Sequence, residues 1–160
     1  MDQKALRKHK ASSKRLTEMP AFKPAKRNRL PKPLHQLSGA RLFSTELLNV
    51  GDRYRACFIW RDGALLADTA FYGWLFEHRT NGLYPLASLH YHPSHKPVHL
   101  LTPCRMDRDF TNRQLPGAIE FHLSSGRRFD PRAEIDRSQL IEMFCQRCGI
   151  ALGPEGGLAL

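Results

Sequence analysis

Four of the chain's eight histidines, His90, His92, His95 and His99, fall within ten residues. An imidazole titrates near neutral pH, so one histidine of a pair can accept a proton while the other donates one during phosphodiester cleavage. Neutral imidazoles are also common ligands of divalent metals. We therefore predict His90 and His99 as an acid/base pair, with His122 as a third catalytic candidate, and His90 and His92 as candidate metal ligands.

The spacing His90-x-His92-x-x-His95 resembles the first half of the metallo-β-lactamase motif. Ser94 stands where that motif has an acidic residue, and the chain is far too short for that fold. The family is therefore rejected, and only the geometry of the ligands is kept as a hypothesis.

A second pattern, His122-x-Ser124, resembles one half of the paired His-x-Ser/Thr motif of two-histidine phosphoesterases, but His99 is followed by leucines and the second half is missing. Four interpretations of the histidine cluster stay open: acid/base catalysis, metal binding, phosphate contact together with Lys96, and a polar strand face without chemistry.

Two cysteines, Cys145 and Cys148, have the CxxC spacing of a zinc knuckle, but the chain has no second CxxC pair. A redox CxxC usually opens a helix, whereas this one falls in the last turn of a predicted helix, on its apolar stripe. We favour buried core thiols. No cofactor is required by that interpretation; zinc or another divalent metal, with Cys104 or a histidine as a further ligand, is the alternative.

The first 33 residues carry most of the net charge of the chain. They contain 11 Lys and Arg against two acids, whereas the remaining residues are nearly neutral, with 14 Lys and Arg against 13 acids. With four prolines and few apolar residues, this leader cannot offset its ordering entropy, so we expect a disordered basic arm over residues 1–34. Such an arm gains affinity for nucleic acid by releasing condensed counterions. The predicted contacts are Lys4, Arg7, Lys8, Lys10, Lys14, Arg15, Lys23, Lys26, Arg27, Arg29 and Lys32.

Other uses of these charges are an anionic membrane surface, a transit peptide and a solubilising tail. In the body, Arg127 and Arg128 are candidate phosphate contacts after a turn. The spacing of Asp107 and Asp109 suits Mg²⁺, although interleaved arginines favour an ordinary surface loop.

The elements that position these residues are strands separated by turns. Asp62-Gly63 and Asn81-Gly82 predict two-residue hairpin turns, because both central positions of a type I′ turn need positive φ. The second turn would place Trp74 opposite Leu89 and Gly73 opposite His90, leaving space beside the imidazole. Residues 69–79 also fit a helical period, but aromatic density favours a strand.

A third hairpin around residues 93–97 pairs His90 with His99, and residues 118–124 alternate as a half-buried strand. A helix follows, with Asp136 as its cap and Gly149 as its left-handed terminator. The fold class is α+β: an antiparallel meander of five to six strands with a C-terminal helix packed on one face, in a single domain over residues 35–160.

We expect a nucleic-acid-binding protein that engages the phosphate backbone of DNA or RNA through its basic N-terminal arm. If it is an enzyme, we expect a small histidine-dependent nuclease or phosphodiesterase. The alternatives are a non-enzymatic module docking on a larger nucleoprotein complex and a metal-binding hydrolase-like domain. Four cysteines without an export signal predict a reducing compartment, cytoplasmic or nucleoid-associated. No apolar run is long enough for an integral membrane span.

Overall fold

The computed structural model describes residues 8–9, 11–26, 30, 34, 41–93, 98–101, 119–121 and 128–154, with backbone alone for 98–101 and 119–121. The predicted α+β class is confirmed: an antiparallel sheet carries one long helix near the C-terminus. The strands are β1 (Arg15–Leu16), β2 (Lys23–Pro24), β3 (Leu42–Ser44), β4 (Leu48–Asn49), β5 (Tyr54–Arg61), β6 (Ala70–Arg79), β7 (Gly82–Tyr91), β8 (Val98–Leu101), β9 (Ile119–Phe121) and β10 (Ala151–Leu152). The helix is α1 (Glu134–Cys148).

The meander runs through β5, β6, β7, β8 and β9, each antiparallel to the next. On the other side of β5, strands β3 and β4 pair with opposite halves of that strand, and β2 pairs with β3. Thr45 joins the two short strands to β5, because its backbone N–H donates to Phe58 O and its hydroxyl accepts from Phe58 N–H.

The hairpin between β6 and β7 exists, but its predicted register is wrong. The turn is Thr80–Asn81, and Gly82, with a φ of 116°, opens β7 opposite Arg79. A bulge then shifts the pairing between Leu75 and Phe76, where Pro85 faces Phe76. A proline cannot donate a ladder hydrogen bond, so an irregularity at this point of an inner strand is expected.

The predicted two-residue turn at Asp62-Gly63 is also wrong. Residues 62–69 connect β5 to β6 and contain a short 3₁₀ turn, Leu66–Asp68. Leu65 is 67% exposed in this connection, so the apolar residues after Gly63 form no paired strand.

Helix α1 buries the predicted stripe of Leu140, Ile141, Phe144, Cys145 and Cys148. Its end is confirmed as well, since Gly149 adopts the left-handed conformation with a φ of 69° and a ψ of 34°.

The start of α1 differs from the expectation that Asp136 is the cap. Ala133 occupies the N-cap position without a side-chain hydrogen bond. The carboxylate of Asp136 instead accepts the backbone N–H of Asp130 at 2.7 Å, which fixes the chain entering the helix.

The sheet has a buried cluster on each face. The cluster under the helix joins α1 to β5, β6 and β7 through side chains such as Phe58, Leu75 and Leu89. The opposite cluster contains Ile59, Tyr72, Trp74 and Phe76, together with Leu30 and Leu34 from the leader. The aromatic side chains of β5 contribute to this packing: Tyr54 and Phe58 are buried, and the partly buried Trp60 stacks on Phe43 with ring centroids 4.3 Å apart.

The leader differs from the expected disordered arm over residues 11–26. Arg15 and Leu16 form a parallel ladder with Ala151 and Leu152, and Arg15 N–H donates to Val50 O at 2.7 Å. Leu16 is 5% exposed and belongs to the cluster under the helix. Burial of Leu16 and the pairing of β1 with β10 offset the conformational entropy that this segment loses when it becomes ordered. Composition alone does not reveal these contacts.

Among the described residues, no helix combines the length and the apolar character needed to cross a membrane.

Candidate nucleic-acid interface

The histidine hairpin has the predicted cross-strand pairing. His90 is the partner of His99, and His99 is in turn the partner of Glu120 on β9. Strands β8 and β9 are thus adjacent in the sheet. His122, the third catalytic candidate, lies outside the described residues, as does Lys96.

His90 and His92 pack against aromatic rings. The His90 ring meets Tyr72 edge-on at 5.3 Å and Trp74 at 5.7 Å, and the His92 ring meets Tyr72 edge-on at 5.6 Å. Burial raises the pKa of the Tyr72 hydroxyl, an effect that the charge of Arg61 partly opposes. Each imidazole is therefore packed against at least one aromatic ring, which limits the directions from which a substrate can approach it.

Gly73 plays a different part from the one predicted. The residue opposite His90 is Tyr72, and Gly73 pairs with Leu89 on the other face of the sheet. A Cβ at Gly73 would lie 3.2 Å from the rings of Phe144 and Phe58. The missing side chain makes room for the helix.

The cysteine pair is buried as the favoured interpretation predicted. Cys145 and Cys148 are free thiols with exposures of 0% and 5%. Burial holds the pKa of the Cys145 thiol well above its ordinary value and, for Cys57, raises it to about 11. Within the described residues, no group of three or more His, Cys, Asp or Glu side chains is placed to hold a metal ion.

Two of the predicted phosphate contacts are engaged within the protein. The Lys14 ammonium, 3% exposed as a residue, donates to the backbone oxygens of His9 and Ser12 and lies 4.8 Å from the centre of the Tyr54 ring. Burial lowers the pKa of Lys14. Arg15 donates to Gly153 O at 2.9 Å. Both cations stabilise the attachment of the leader.

Three other leader cations, Lys8, Lys23 and Lys26, are exposed. The remaining predicted leader contacts lie outside the described residues: Lys4, Arg7, Lys10, Arg27, Arg29 and Lys32.

His9 ties the leader to the sheet, a contact for which the sequence pattern held no signal. Its Nδ1 lies 3.2 Å from the Tyr54 hydroxyl and 3.4 Å from a carboxylate oxygen of Glu77. Burial lowers the pKa of His9; Glu77 opposes this effect, while the nearby positive charges of Arg79, Lys14 and Lys8 add to it. Lys8 is therefore held beside the end of β6.

That end of β6 forms a polar cleft. A cavity of about 550 Å³ is lined by Arg53, Glu77, His78, Arg79 and Thr80. An adjoining cavity of about 410 Å³ runs from Arg79 to Tyr84 around the hairpin turn. Residues 53, 78 and 79 are exposed. The cleft thus offers two guanidinium groups against one carboxylate, a balance that suits phosphate oxygens.

Of the two arginines predicted as phosphate contacts in the body, the structure describes one. Arg128 is exposed, whereas Arg127 lies outside the described residues. Arg132 forms a hydrogen-bonded ion pair with Asp130, whose pKa this contact lowers. The loop of Asp107 and Asp109, with Cys104, also lies outside the described residues.

Comparison of the chain with protein-family models, with curated proteins and with solved structures found no match in any of the three.

Proposed function

We propose that the protein binds the phosphate backbone of nucleic acid. It would use the exposed cations of the leader together with Arg53 and Arg79 of the polar cleft at the end of β6. The observation that supports this most directly is the contact of His9 with Glu77 and Tyr54. It holds the exposed Lys8 beside the cleft that contains Arg53 and Arg79.

The distribution of charge supports the same function. A leader with 11 Lys and Arg against two acids attracts a polyanion over distances beyond direct contact. Its attachment through β1 brings some of those charges to the body in fixed positions, so less conformational entropy is lost on binding than with a wholly disordered arm.

The packing of His90 favours binding over cleavage as the function. The ring of His90 packs against Tyr72 and Trp74, and these two aromatic residues are 5% and 2% exposed. A general base must reach the proton that it removes, and aromatic packing restricts that reach.

Docking on a larger nucleoprotein assembly is the other candidate. In the part of the chain that the structure describes, the exposed large hydrophobic residues are Leu47, Leu65 and Ile135. They lie in the β3–β4 connection, the β5–β6 connection and the first turn of α1. Singly exposed apolar residues are normal on protein surfaces, so direct binding of nucleic acid is preferred.

The experiment compares two double variants that remove the same charge. Lys8→Gln/Arg53→Gln alters the cleft, and Arg132→Gln/Arg147→Gln alters exposed positions at the two ends of α1. Affinity for labelled oligonucleotides is measured between about 50 and 200 mM salt.

We expect the cleft variant to lose affinity and to reduce the slope of log K against log salt by about 1.5, since each lost phosphate contact removes about 0.7 to 0.9. The control should retain a slope near that of the wild type. Equal effects of the two variants would mean that net charge alone attracts the ligand, and the proposed interface would be wrong.

A further inference from the structure

Arg79 is fixed in place by two neighbours. Its guanidinium carbon lies 3.6 Å from the centre of the Tyr84 ring, and its Nε donates to the Glu77 carboxylate at 2.5 Å. The side chain is nevertheless 45% exposed. Tyr84 therefore contacts the guanidinium on one side, while nearly half of the Arg79 side chain stays exposed beside the cleft.

This surface lies between two cavities. Arg79 lines both the cavity of about 550 Å³ that contains Arg53 and the cavity of about 410 Å³ around Asn81 and Tyr84. Cavities of a few hundred Å³ are of the size that small ligands occupy. The exposed guanidinium of Arg79 therefore lies next to the cavity that contains Arg53.

We infer that this hairpin tip binds one unpaired base of a single-stranded nucleic acid, stacked on the guanidinium of Arg79, with the adjacent phosphate against Arg53. The inference rests on the proposed function and specifies the class of ligand. Proteins commonly stack unpaired bases on arginine planes and aromatic rings. A duplex keeps its bases stacked on one another, so only its phosphates can use the cleft.

The roles of the two arginines differ in what they require of the side chain. Stacking needs a planar group, which lysine lacks, whereas a single phosphate contact needs only a positive charge. Glu77 and Tyr84 hold the plane of Arg79 in advance, so binding costs little side-chain entropy. Arg79→Lys therefore removes the planar group but keeps the charge, and Arg147→Lys, at an exposed position outside the cleft, is its matched control.

The experiment measures fluorescence polarisation of labelled oligo(dT), oligo(U) and a mixed-sequence duplex, each of about 12 nucleotides or base pairs. On whichever single strand the wild type binds more tightly, we expect Arg79→Lys to weaken binding about tenfold. Its effect on the duplex should stay within about twofold, and Arg147→Lys, an exposed position at the end of α1 outside the cleft, should stay within about twofold on every probe.

The inference is overturned if Arg79→Lys binds the single strand as the wild type does, or if it weakens duplex binding equally. In both cases the proposed function survives, because the wild type still binds with salt dependence. If the wild type binds none of the three probes at about 50 mM salt, the proposed function and the inference fail together.

Discussion

The packing of Leu16 makes the attachment of the leader testable by a single substitution. Leu16 is 5% exposed, its carbonyl accepts the N–H of Gly153 at 2.9 Å, and its side chain joins the cluster under α1. Leu16→Ala removes buried methyl groups without changing charge or the backbone ladder. Leu65→Ala makes the same chemical change at a residue that is 67% exposed.

The expected loss follows from burial. Leu→Ala substitutions in cores cost about 2 to 5 kcal/mol, and a site on a two-residue strand, where neighbours can relax, belongs at about 2 to 3 kcal/mol. The control should change the free energy of unfolding by no more than about 0.5 kcal/mol. For a domain of this size, the loss at Leu16 corresponds to a fall in Tm of about 4 to 12 °C.

Urea unfolding followed by circular dichroism measures both variants against the wild type, with a thermal scan as a second reading. Unchanged m-values would show that the midpoint shift reflects stability. If Leu16→Ala and Leu65→Ala unfold at the same urea concentration as the wild type, the leader contributes nothing to the core, and its attachment through β1 is refuted.

Four further outcomes are expected. Gly73→Ala should cost about 1 to 3 kcal/mol in urea unfolding, because its Cβ would crowd the aromatic rings beneath the helix at 3.2 Å; a neutral effect would contradict that packing. The lowered pKa of His9 means that the folded state resists protonation, so stability should fall as the pH drops below about 6.5, and His9→Gln should flatten this dependence between pH 7 and 5. In a Cys104→Ser background, native protein should react with a disulfide reagent only on unfolding, since the described thiols are buried; rapid native labelling would contradict this. Labelled RNA should remain intact with and without divalent metal, and cleavage that His90→Ala abolishes would restore the nuclease hypothesis.

The features that the sequence predicted well depend on local pattern. The stripe of α1 and its end at Gly149 follow from helical spacing and from the ease with which glycine adopts positive φ. The pairing of His90 with His99 was insensitive to the length of the loop, because a symmetric change in a hairpin loop leaves the register unchanged.

The errors arose where sequence pattern determines neither the exact turn position nor the partner of a strand. The turn lies at Thr80–Asn81, one residue earlier than predicted, and the bulge opposite Phe76 offsets only part of that shift, so Gly73 faces Leu89 and the helix instead of His90. The ladder of β1 depends on Ala151, more than a hundred residues away, and two-residue strands leave no periodic signal.

The sequence pattern could not predict the polar cleft either. Arg53, Arg79 and Tyr84 have no motif or spacing in common, and only the pairing of β5, β6 and β7 brings them together. Charge counting located the cationic leader but could not tell the buried Lys14 from the exposed Lys8.

The salt dependence of the wild type's affinity for a labelled oligonucleotide tests the proposed binding of nucleic acid through phosphate contacts most directly. We expect log K to fall linearly with log salt between about 50 and 200 mM, with a slope set by the number of phosphates contacted. No binding at the lower salt concentration, or an affinity that salt leaves unchanged, would contradict the claim.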